Sequence, residues 1–218
     1  MLAPQFATHR IGSPSAAHTL EIFLDLVCPF SKKQLNGIKS GLIPLVERNP
    51  DVGENLQIVI AQVPQPWHAS STLVHEAALG VSKTLVDQGR SFSDPDVVAK
   101  FQDYFFALMD EQEAYFDEPT ADEPPSATRG RLADLAASLG IDREAFLKNI
   151  STREGNSGSP VTNDLKLQVK YHRTRGVHVT PTVFLDGLAD PSISSSFTAD
   201  DWKKFVNEKV LPANAAKL

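Results

Sequence analysis

The sequence predicts an α/β fold, and three observations predict it. His18 to Val27 is an apolar run of strand length that leads straight into Cys28-Pro29 and a helical pattern, and Leu56 to Val63 is a second such run. Helical periodicity then fills the middle of the chain. After Gly176 strand composition returns, closed by a turn and one more helix. Strand, helix and strand in succession imply a right-handed crossover with the two strands parallel.

Each element has its own signal. Proline suits the first helical position, where the amide it lacks would go unpaired, so a helix opens after Cys28. From Ser31 to Val46 its apolar positions are Leu35, Ile38, Leu42, Leu45 and Val46. The strand Leu56 to Val63 is broken by Pro64-Gln65-Pro66. Ser70 to Asp87 carries apolar residues at Leu73, Val74, Ala77, Ala78, Val81 and Leu85, and Asp94-Pro95 opens a helix through Phe105 and Met109. The acidic, proline-rich stretch Asp117 to Pro125 reads as a surface linker. Helices are expected over 131–139, from an Asp142 cap to Ile150, and over 161–175, where Gly176 is the stop. Val179 to Leu185 is the last core strand and Asp186-Gly187 its turn. Thr198 caps a final helix containing Trp202, Phe205, Val206 and Val210.

Composition excludes several functions. With 218 residues, 41% hydrophobic and 22% charged, the chain can bury a core and falls outside the disordered and membrane classes. A net charge of -6, with no basic run interleaved with aromatics, argues against nucleic acid as a partner. No apolar run approaches the roughly 18 residues of a membrane span, and Met1 to Gln5 lacks the features of a secretory signal. An intracellular protein is expected, in the cytosol or in the peroxisome, because Ala216-Lys217-Leu218 resembles the Ser-Lys-Leu address with Ala in place of Ser. The histidines show no metal-binding spacing, so neither a metal nor a tightly bound cofactor is expected.

The single cysteine excludes an internal disulfide, so any redox chemistry is intermolecular. A thiol at a helix N-terminus feels the partial positive charge of unpaired amides, which favours its thiolate; the alternative is a buried, inert cysteine. Ser31 either donates a hydrogen bond to that thiolate or is a plain helix-start residue. His68, in Pro66-Trp67-His68, either tunes the thiol and carries protons or is an exposed loop histidine. Asp25 either moves protons beneath the site or makes a strand-end polar contact.

Phe23-Leu24-Asp25-Leu26-Val27-Cys28-Pro29-Phe30-Ser31 resembles the Phe-x-Asp-x-x-Cys-Pro-x-Cys stretch of DsbA-like thioredoxin proteins. Gly176-Val177-His178-Val179-Thr180-Pro181-Thr182 is similar to their Gly-Val-x-Gly-Thr-Pro-Thr segment, and Leu135 to Asp142 with Phe146 to their late insertion helices. The resemblance runs from residue 18 to residue 211. It implies a thioredoxin-like fold with an inserted helical domain between the second and third core strands, divided as 1–68, 69–175 and 176–218. It also implies a cis Pro181 facing Cys28, with the Thr180 backbone binding an extended thiol substrate beside Pro29, Phe30 and His68.

Ser31 stands where the family carries its second cysteine, so a mixed disulfide cannot be resolved internally. The resemblance then implies a monothiol thiol-disulfide oxidoreductase. Cys28 is the nucleophile, the substrate a small or protein thiol or disulfide, and glutathione the co-substrate. One alternative is a kappa-class-like glutathione transferase or glutathione-dependent isomerase, similar to the 2-hydroxychromene-2-carboxylate isomerases, with Asp200 or Asp201 holding the glutathione amine. The other is a non-catalytic binding module. Monomer and homodimer both stay open.

Overall fold

The computed structural model describes residues 3–211, so the Ala216-Lys217-Leu218 ending lies outside the described residues. After a 3-10 turn at Pro4–His9 come β1 (Arg10–Ile11), β2 (His18–Leu24), α1 (Pro29–Gly37), a π-turn at Ile38–Leu42, α2 (Ile43–Arg48), α3 (Pro50–Asn55) and β3 (Leu56–Gln62). Helices α4 (Ser71–Asp87), α5 (Pro95–Asp110), α6 (Asp117–Thr120), α7 (Pro125–Ser138), α8 (Arg143–Ile150) and α9 (Thr162–Thr174) follow. The chain returns through β4 (Thr182–Leu185) and β5 (Leu188–Ala189) to α10 (Ala199–Phe205).

The strands make one sheet in the order β1-β3-β2-β4-β5. β2 and β3 are parallel, His18 opposite Leu56 and Leu24 opposite Gln62, as the strand-helix-strand unit requires. β4 is antiparallel to β2, with Phe23 opposite Thr182. The end of β2, which leads to Cys28, therefore lies beside the start of β4, which follows Pro181. This register joins two motifs 152 residues apart in the chain.

Several elements differ from their sequence signals, each for a local reason. Pro44 has no amide to donate, and the π-turn before it absorbs the missing bond within an otherwise continuous helix. Gly41 on that turn admits the indole of the buried Trp202, because a Cβ there would lie 2.8 Å from Trp202 Cδ1. The last core strand begins at Thr182 and not at Val179, since Pro181 offers no N–H to the ladder. β1 is too short to carry any alternation and was not expected. The stretch from Asp117 to Pro125 lies at the surface as expected but is not irregular: α6 and the start of α7 occupy it, and Tyr115 just before is buried beneath the Arg131 guanidinium.

Helices α4, α5, α7 and α8 pack through Phe101, Tyr104, Phe105, Leu132, Phe146 and Ile150 into a core continuous with one face of the sheet. Among the described residues no helix is long and apolar enough to cross a membrane. The closest approach within this core is at Gly80 of α4, where a Cβ would lie 2.5 Å from Ile150 Cγ2 and 3.2 Å from Phe146 Cε2. Gly80→Ala gains about 1 kcal/mol of helix propensity but forces two buried side chains apart, at about 1–3 kcal/mol. Urea unfolding should show a net loss of stability; a more stable variant would contradict this packing.

Candidate active site

Cys28 is the N-cap of α1, in extended conformation, with Pro29 at the first helical position. The residue is buried, with its thiol at the N-terminal end of that helix. The thiol donates to the Thr180 carbonyl at 3.4 Å across the β2–β4 junction, and the Thr180–Pro181 peptide is cis. Gln112, from the turn after α5, donates its amide to the carbonyls of Leu26 (2.9 Å) and Cys28 (3.0 Å). A residue of the inserted helices thus holds the backbone on either side of the thiol.

Beneath this loop Asp25 is fully buried. One oxygen accepts from His68 Nδ1 at 2.6 Å; the other accepts from Ser71 Oγ at 2.7 Å, His75 Nε2 at 3.2 Å and the Val27 amide at 3.3 Å. Burial alone would raise the carboxyl's pKa, but the hydrogen bonds and proximity of His75, with those of Ser71 and His68, hold it below its ordinary 3.8. Asp25 is accordingly ionised at neutral pH. Ser71 and His75 lie four apart on one face of α4, and His68 reaches Asp25 from the turn just before that helix.

The proton on His75 can be placed. Gln62 Nε2 donates to the His75 carbonyl (3.1 Å) and lies 3.2 Å from His75 Nδ1. The carbonyl contact fixes which end of the amide carries hydrogens, so Nδ1 is an acceptor and the ring proton is on Nε2, facing Asp25. The Leu26 amide is 3.3 Å from the same Nε2. A lone pair there would satisfy it, but would set Nε2 against a carboxylate oxygen and Nδ1–H against the Gln62 amide hydrogens. At the other end of Gln62, Oε1 accepts from His9 Nε2 at 3.2 Å. A buried hydrogen-bonded line therefore runs from His9 through Gln62 and His75 to Asp25.

With Nδ1–H committed to Asp25, neutral His68 carries its lone pair on Nε2. His68 also lines a cavity of about 370 Å³ with Val27, Pro29, Tyr115, Phe116, Asp117, Glu118 and Pro119. A second cavity, about 270 Å³ between β3 and α9, is remote from Cys28. Its charged groups are already engaged: Arg10 bonds Gln57, and Glu21 is held by Tyr171 and Arg175.

Of the residues singled out in the sequence, Cys28, Pro29, His68, Thr180 and Pro181 come together, and Phe30 stands beside them, 63% exposed. Ser31 takes a different role. It is fully buried and its hydroxyl oxygen accepts from the Asp25 amide at 3.2 Å, so its structural contact is with the strand end and not with Sγ. Asp200 and Asp201 are not brought to the site. They open α10, which packs on the π-turn near Gly41, roughly 18 Å along the helix from its start at Pro29, and the Asp201 carboxylate is bonded to Thr198 in a capping box. His172 is buried on α9, where burial lowers its pKa. No group of three His, Cys, Asp or Glu among the described residues could hold a metal. Sequence reasoning missed Ser71, His75, Gln62 and Gln112; only the four-residue spacing of Ser71 and His75 on a helical pattern offered a signal.

This arrangement is a thioredoxin-like fold of the DsbA type, with its helical insertion packed against the thiol loop. Among solved structures, a protein from Pseudomonas syringae provisionally described as a protein-disulfide isomerase is 24% identical, with a TM-score of 0.65 over 89% of this chain and 95% of its own. DsbA from Chlamydia trachomatis is 20% identical, TM-score 0.62, over 94% and 92%. BdbD from Bacillus subtilis is 21% identical, TM-score 0.59, over 92% and 91%. No protein-family model and no curated protein sequence matches the chain.

His9 gives the network a pH signature. Burial pushes its ring down from 6.5 to about 4, helped by nearby His75 and opposed by the Gln62 bond. The folded protein therefore keeps His9 neutral where the unfolded chain protonates it. The resulting stability is complete above pH 6.5 and is lost as pH falls toward 4. From about pH 7.5 to about 4.5 this group should remove about 2–3 kcal/mol, measured by urea unfolding across that range. His9→Gln should flatten that part of the slope; an unchanged slope would contradict the assignment.

Proposed function

We propose that the protein is a monothiol thiol-disulfide oxidoreductase in which Cys28 is the nucleophile and a second, external thiol completes the cycle. The observation that carries this reading is the position of Cys28, capping α1 beside the cis Thr180–Pro181 peptide, with no second cysteine in the sequence. The Cys28 thiolate attacks one sulfur of a disulfide, forming a mixed disulfide and releasing the other half as a thiolate. The external thiolate then attacks the substrate sulfur of that mixed disulfide, and Cys28 leaves as thiolate. One disulfide bond is broken and one formed in each step, so no net oxidant is needed. Glutathione fits the external role, and the named solved structures, described as disulfide isomerase and DsbA, accord with the chemistry.

His68 is assigned the proton. Asp25 fixes its Nδ1–H, and its remaining nitrogen, on a ring lining the cavity with Val27 and Pro29, is proposed to protonate a departing thiolate and to take a proton from an arriving thiol. A kappa-class-like transferase is less well supported, because the carboxylates that would hold the glutathione amine lie at the far end of the helix from Cys28.

Exchange kinetics test both assignments. Cys28→Ser should abolish disulfide exchange while the fold persists. Glutathione conjugation by that variant would instead support the transferase, and exchange absent from the wild type as well would support a binding module. His68→Ala should slow exchange about tenfold to a hundredfold when the leaving group is an alkyl thiol, and less than about twofold when it is an acidic aryl thiol. Equal slowing for both would remove His68 from proton transfer.

A further inference from the structure

The cavity beside Cys28 has a composition that points to its occupant. Val27, Pro29, Tyr115, Phe116 and Pro119 give it apolar walls, Asp117 and Glu118 give it charge, and no Lys or Arg lines it. Phe30, Trp67 and Val179, next in the chain to Pro29, His68 and Thr180, are 63%, 59% and 64% exposed, three of the five large exposed hydrophobics among the described residues. Solvent-facing aromatics gathered at a nucleophile mark a docking surface and not a leftover of folding.

The acidic wall is not neutralised from within. Residues 110–123 contain seven acids and no Lys or Arg. Asp110 faces Lys39 at 3.4 Å, Glu113 faces Lys32 at 3.9 Å, and Glu123 is paired with Arg131. Asp117 accepts only from the Ala69 amide at 3.2 Å, and Glu118 has no cationic partner among the described residues. Lys33 of α1 is exposed and unpaired, but it is not among the lining residues.

Resting on the exchange reading above, we propose that this groove selects a peptide-borne disulfide whose cysteine is flanked by Lys or Arg. The apolar rim takes the neighbouring side chains and the Asp117–Glu118 wall takes the positive charge. Attack by Cys28 leaves the cationic peptide as the mixed disulfide and releases the other half as thiolate; the external thiol then frees the peptide as in the general cycle. Glutathione, with two carboxylates to one amine, gains nothing from this wall, so the groove is assigned to the disulfide substrate and not to the resolving thiol.

The test uses the full chain and three peptides of equal length, each a mixed disulfide with a coloured aryl thiol, with Lys, Ser or Glu on both sides of the cysteine. Rates with Cys28 are divided by rates of the same probes with a neutral small thiol, which removes intrinsic reactivity. The Lys probe should exceed the Glu probe by about tenfold at low salt, and the ratio should shrink as salt rises. Asp117→Asn with Glu118→Gln should bring the ratio within about twofold; Asn keeps an acceptor for the Ala69 amide. Asp51→Asn with Glu54→Gln makes the same charge change on α3, at the opposite end of the sheet, and should leave the preference intact. No preference, a preference insensitive to the groove pair, or equal loss from the distant pair would overturn the proposal. Failure of all three probes to react with Cys28 would instead overturn the exchange reading on which it rests.

Discussion

Asp25, just past the end of β2, has no exposed surface and four donors on its two oxygens, three of them side chains from α4 and the turn before it. A carboxylate buried without partners would cost several kcal/mol, so the sheet can place an acid here only if His68, Ser71 and His75 arrive to meet it. That requirement docks α4 against the strand end and fixes the loop from Leu26 to Cys28. Gln112 then reaches the same loop from the turn after α5. The insertion is thus part of the site, because it supplies the hydrogen bonds that hold the thiol in register with Thr180.

The same carboxylate connects the buried polar line to the surface. Gln62 orders the His75 proton toward Asp25, and Asp25 orders the His68 proton toward itself, which leaves one imidazole nitrogen of His68 without a partner at the groove. Ser31, buried at the position where the DsbA-like motif has a second cysteine, accepts from the Asp25 amide and so supports the strand end. Cys28, His68 and the Asp117–Glu118 wall therefore come from three separate segments, and one buried anion holds the first two in place.

Features written in local chemistry were readable before the structure. Cys28-Pro29 announces a helix start, Asp186-Gly187 a turn, and Thr198 a cap; the structure has all three, the turn with positive φ at both residues. The meeting of Cys28 with Thr180 depends on the β2–β4 register, which the flanking motifs anticipate but do not determine. His68 reads as a loop residue and His75 as part of a helical pattern, and nothing in the sequence says that Asp25 lies opposite them. The acids at 117 and 118 read as linker because acid and proline describe a surface equally well when it is open and when it walls a cavity. Asp200 and Asp201 were placed by resemblance alone, and the packing of α10 against Gly41 carries them away from the thiol.

The central claim is that Cys28 forms a mixed disulfide which only an outside thiol can release. Time-resolved intact mass of the wild-type chain, mixed first with a small disulfide and later with a reduced thiol, tests it most directly. The account predicts a single adduct on Cys28 that persists until the second thiol is added and then disappears, restoring the free mass. No adduct, or an adduct that decays at the same rate without the second thiol, would contradict it.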